Sequence, residues 1–62
     1  MKQIELRKVA LGECFRLSDN DNAAIWVRDE YDRSSKEFVC HKFFFTNVFR
    51  SFKGSRLVYV ED

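Results

Sequence analysis

A chain of 62 residues has room for one domain and no second. At 45% hydrophobic and 16% aromatic it is too apolar to be disordered, and a formal net charge of +1 sets it apart from strongly basic and strongly acidic chains. Charged residues interrupt every apolar run, which excludes a hydrophobic membrane span.

Size also constrains the core. A domain this short buries only about 60% of the surface its unfolded chain exposes, so almost every large apolar side chain is needed inside. The opening "MKQIELRKVAL" carries charges within its only apolar part and does not read as a secretory signal. Cys14 and Cys40 stand far apart in the chain, and together with the missing signal they point to a reduced, cytoplasmic setting.

Taken in chain order, Ile4, Val9 and Leu11 with charges between them predict an extended lead-in over the first residues. Gly12 marks a turn, and a first strand follows at Cys14–Leu17. "SDNDN" at Ser18–Asn22 is a loop by composition, because these side chains bond their own backbone in turns. Ala24–Tyr31 and Glu37–Phe43 predict the two longest strands, separated by the loop Asp32–Lys36. Alternation places Ile25, Val27 and Tyr31 on one face and Trp26, Arg28 and Glu30 on the other. It likewise sets Val39, His41 and Phe43 against Phe38, Cys40 and Lys42.

Neither strand has a clean apolar side, which suits a small, strongly coiled sheet whose strands bend. Val48–Phe52 and Arg56–Val60 complete the set, joined through Gly54. Five short antiparallel strands predict an all-β fold, a five-stranded SH3-like barrel, spanning residues 1–62 as one domain. Phe45, Val48, Phe49 and Phe52 also fall at helical spacing, so one short helical turn near Phe45–Val48 is the rival to a plain connection. Among the phenylalanines, Phe15, Phe43 and one of Phe49 or Phe52 are expected inside, and Phe44 is expected outside.

The stretches "VALGECF", "VRDEYDRSSKEFVCHKF" and "FKGSRLVYV" give the chain a further resemblance. It resembles a group of short, functionally uncharacterised bacterial proteins with an SH3-like small β-barrel. The resemblance implies the fold and its hairpin and assigns no activity. Where that group tends to be acidic, this chain has "FFTN" at Phe44–Asn47.

The residues argue against several chemistries. Asp19-Asn20-Asp21 begins like a calcium loop, yet Ala23 and Ala24 stand where a ligand and a glycine are required. Cys40 and His41 are strand neighbours facing opposite ways, and two cysteines with one histidine fall short of a zinc set. There is no glycine-rich phosphate loop or nucleophile elbow, and the neighbouring acids Asp29-Glu30 and Glu61-Asp62 have nothing to orient them. No enzyme, cofactor or metal is expected.

What is left is an interleaving of basic and aromatic residues. Trp26, Arg28, Tyr31, His41, Lys42, Phe44, Arg50, Lys53 and Arg56 predict a stacking and phosphate-contacting surface for single-stranded DNA or RNA. The plainer explanation is a set of outward-facing strand residues balancing Asp29, Glu30 and Glu37. The alternative function is a protein partner or self-association, through an exposed Phe44 or Trp26 or through an edge strand such as Val48–Phe52.

Overall fold

The computed structural model describes residues 1–61; Asp62, one of the paired terminal acids, lies outside them. The chain is all-β with almost no helix. Its elements are β1 (Lys2–Glu5), a 3-10 turn at Leu6–Lys8, β2 (Cys14–Arg16), β3 (Ile25–Asp32), β4 (Glu37–Lys42), β5 (Phe49–Lys53) and β6 (Leu57–Val60). They form one antiparallel sheet of six strands in the order β1-β6-β2-β3-β4-β5. The expected count of five strands is therefore corrected to six. The extended lead-in is itself a strand, because β6 returns alongside it and pairs Ile4 with Val58.

Among the described residues no ladder joins β5 to β1, so the sheet is not closed into a barrel. It is nevertheless curled. Residues 54–56 alone carry the chain from the edge strand β5 to β6, which lies next to the opposite edge. Backbone bonds fasten this crossing to the 3-10 turn. Leu6 N–H donates to Arg56 C=O at 2.8 Å, and Arg7 N–H donates to Gly54 C=O at 3.0 Å.

The helical alternative near Phe45–Val48 is replaced by a tight turn. Val48 N–H donates to Phe45 C=O at 2.9 Å, and no helix is assigned there. A segment this short cannot repay helix nucleation once β4 and β5 pair on either side of it. The "SDNDN" loop is an Asx turn, with Asn22 N–H donating to Asn20 Oδ1 at 2.8 Å.

The core is built from Leu6, Val9, Phe15, Trp26, Phe38, Cys40 and Val58, with Ile4, Leu17, Val48, Phe52 and Val60 packed against it. Register explains which residues enter it. Directly opposed residues share a face, so Phe15↔Trp26 and Phe38↔Phe52 define the inner side of the curled sheet. Trp26 meets Phe52 edge-on with ring centroids 5.6 Å apart. Phe15 is inside and Phe44 outside, as expected, although Phe44 lies beyond the end of β4 and its neighbour Phe43 is exposed as well. Of the pair Phe49 and Phe52 it is Phe52 that packs against the core, while Phe43 is a correction, because it is exposed, at 48%, as is Phe49, at 60%. Each shares its face with His41, and the buried Phe38 and Cys40 show that the core lies on the other face.

Candidate functional site

Three strands carry the outer face of the sheet. Val27, His41 and Phe49 stand in one cross-strand row, and Val39 stands opposite Ser51 in the next. Between these rows β3 bulges. Its register runs from Arg28↔Cys40 to Tyr31↔Phe38, so Asp29 and Glu30 together oppose the single residue Val39. The bulge turns both acids toward an open hollow of about 460 Å³ that they line with Val39, His41, Thr46 and Phe49. His41 Nδ1–H donates to Asp29 Oδ2 at 2.5 Å, which fixes the ring with Nδ1 as donor. The centroid of that ring lies 6.0 Å from the Phe49 centroid.

A carboxylate-oriented imidazole is half of a nucleophilic triad. The other half is missing among the described residues, where no hydroxyl or thiol is bonded to His41. The adjacent Cys40 faces the core with Sγ–H donating to Phe38 C=O at 3.7 Å, and burial pushes its thiol up to about 11. No group of three or more metal-ligating side chains occurs among the described residues.

The aromatic tip extends this face. Phe43 N–H donates to Ile25 C=O at 2.8 Å, carrying the β3–β4 ladder one residue beyond β4, and Phe43 lines a small apolar hollow with Ile25 and Tyr59. Phe44 packs against Phe43 with centroids 5.0 Å apart. Phe44 and Phe45 are 73% and 62% exposed. At roughly 200 Å² per free ring, the touching pair Phe43 and Phe44 presents on the order of 240 Å² of aromatic surface.

The basic and aromatic residues singled out from the sequence do not come together as one surface. Trp26 is 5% exposed and cannot stack on a base. Phe15, its cross-strand neighbour, draws it into the core. Lys42 is opposite Trp26 and lays Nζ over that ring, 5.7 Å from the centroid. Arg28 and Arg50 flank Cys40 on the inner side, and the Arg28 guanidinium lies 4.4 Å from the Phe38 centroid. Arg56 lies 5.2 Å from the Phe52 centroid. Three of these cations thus cover the rims of core rings, where a cation over an aromatic face contributes about 0.5–2 kcal/mol.

His41 and Phe44 belong to the outer face and its tip. Tyr31 and Lys53 meet elsewhere, in a hollow shared with Arg7 and Lys36, two residues that sequence reasoning did not select. In that hollow Arg7 is already engaged by Glu5, through bonds of 3.1 and 2.9 Å. Those bonds hold the Glu5 carboxyl below its ordinary value and raise that of Arg7.

On the outer face Arg16, near Phe43, is paired with Glu61 at 3.1 Å, and Lys53 is the cross-strand neighbour of Glu37. Asp29 and Glu30 add negative charge beside Phe49. Sequence reasoning expected Phe43 inside, left Phe49 open against Phe52, and did not select Asp29 as a partner of His41. A β3 bulge leaves no mark in composition, and alternation alone does not say which face is inner.

No helix among the described residues is long and apolar enough to cross a membrane. Compared with family models, curated proteins and solved structures, the chain matches none.

Proposed function

We propose that this chain is a small, non-catalytic protein-association module that docks through the outer face of β3, β4 and β5. The observation that carries the reading is a segregation. The exposed rings Phe43 and Phe49 lie on the outer face, with Phe44 packed against Phe43, while Arg28, Lys42 and Arg50 lie on the other. A single-strand platform needs stacking rings and phosphate contacts on the same side. An aromatic patch bordered by Asp29, Glu30 and a held imidazole suits a protein surface better than a polyanion.

The same proposal extends to fold and setting. The curled sheet is read as an SH3-like barrel left open between β1 and β5, with the short crossing at Gly54–Arg56 as support. The chain is placed with the short bacterial proteins it resembles, in a reduced cytoplasm, where an exposed free Cys14 is tolerated.

A second reading keeps single-stranded DNA or RNA as ligand. The hollow of Arg7, Tyr31, Lys36 and Lys53 favours it, since it sets one half-exposed ring among three cations.

Photo-crosslinking separates the two. With p-benzoylphenylalanine in place of Phe44, irradiation of expressing cells is expected to give an adduct that protease removes and nuclease leaves intact. A nuclease-sensitive adduct, or none above a control probe at Asp19, overturns the association reading.

A further inference from the structure

We infer that the chain associates with a second copy of itself edge to edge through β5, the strand that borders this face; this rests on the association reading above. β5 is the last strand of the sheet, and Phe49, Arg50, Ser51 and Lys53 are exposed along it. The Lys42–Val48 bond sets the phase of the β4–β5 ladder: Lys42 N–H donates to Val48 C=O at 3.1 Å. Antiparallel pairs alternate between bonded and non-bonded, so Phe49, Ser51 and Lys53 turn their N–H groups away from β4 toward the open edge. An open row of this kind is a template for another strand.

Two copies of β5 paired antiparallel are related by a two-fold axis. The one register that pairs all five residues of Phe49–Lys53 puts the axis at Ser51. Ser51 then faces Ser51 of the second copy, Phe49 faces Lys53, and Arg50 faces Phe52. Each cation meets a ring and no like charges are opposed. Shifting the strands so that Arg50 faces Arg50 loses both features. Parity is also respected, because Phe49 and Lys53 both belong to the outer face and Arg50 and Phe52 both to the inner one. The two outer faces become one continuous surface. At the axis Ser51 forms a bonded antiparallel pair with its copy, about 5.5 Å between Cα atoms, and its small hydroxyl obstructs nothing.

Two variants and a size measurement test the pairing. Ser51→Cys in a Cys14→Ser background places two thiols within the Cα range of about 4.4–6.8 Å that a disulfide spans. Mild oxidation is expected to link it into dimers far faster than Asp19→Cys in the same background. In sedimentation velocity from about 10 µM to 1 mM, the wild-type chain is expected to move toward the dimer by mass action. Ser51→Lys, which opposes two ammonium groups at the axis of an exposed position, is expected to weaken the dimer about tenfold or more. A dimer that Ser51→Lys leaves intact, or a Ser51→Cys chain that links no faster than the control, overturns the β5 pairing. A chain that stays monomeric yet gives the protease-sensitive Phe44 adduct overturns the second copy and leaves association standing. A nuclease-sensitive adduct on a monomer overturns both.

Discussion

Gly54 packs against the ring of Phe38. A Cβ built on it would come 2.9 Å from Phe38 Cε2 and 3.2 Å from Arg7 Cβ. This contact lets three residues carry the chain from β5 to β6, because the crossing passes directly over a core ring.

Gly54→Ala should therefore be destabilising by about 1–3 kcal/mol, the usual cost of forcing atoms into a packed site. Gly12→Ala should cost about 1 kcal/mol for a different reason. Its φ of +85° is unfavourable for a side chain, although nothing lies within 4 Å. Urea unfolding of both variants checks the pair, and equal stability of Gly54→Ala and wild type would contradict the packing described.

The phenylalanines should divide sharply. Phe15→Ala removes a ring that is 2% exposed and is expected to cost about 3–5 kcal/mol, enough to unfold much of a domain this small. Phe44→Ala should stay within about 0.5 kcal/mol, since that ring touches only Phe43 among the aromatic contacts. Thermal unfolding followed by circular dichroism reads both.

The two thiols should behave differently. Cys14 is exposed and should react readily with a disulfide reagent, while Cys40 should react only on unfolding. Burial raises the Cys40 thiol to about 11 from an ordinary 9.0. The unfolded chain then loses this proton first. The stabilisation is full below about pH 9 and is lost as pH rises toward 11, with a total on the order of 2 kcal/mol. Cys40→Ala should flatten that part of the stability–pH curve.

Arg28 and Lys42 should act through stability. Arg28→Ala and Lys42→Ala each uncover a core ring and are expected to cost about 1 kcal/mol in urea unfolding. Neither should change retention on a single-stranded oligonucleotide column at low salt.

Much of the strand pattern was legible in the sequence. Loop signals at "SDNDN", "DRSSK" and Gly54 bracket β2 to β6 to within a residue or two, because turn chemistry is local. β1 was harder to see. Lys2–Glu5 reads as extended, and only β6, more than fifty residues away, makes it a strand. The faces of β4 were harder still. "FVCHKF" alternates, yet either set could be inner, and Phe43 weighs toward the wrong one. The matter is settled by Phe15 and Trp26, whose pairing fixes the inner side for the next strands across. The same long-range pairing drew Trp26 inside and placed Arg28 and Lys42 over core rings.

The most direct test of the docking face is an amide NMR experiment on the labelled chain, run as a concentration series and again with mixed single-stranded DNA and RNA at low salt. Concentration-dependent shifts are predicted along Phe49–Lys53 and at Val39 and His41 on the adjoining strand, with no shifts on adding oligonucleotide. Oligonucleotide shifts clustered at Arg28, Tyr31, Lys42, Arg50 and Lys53, with none on concentration, would contradict that docking face.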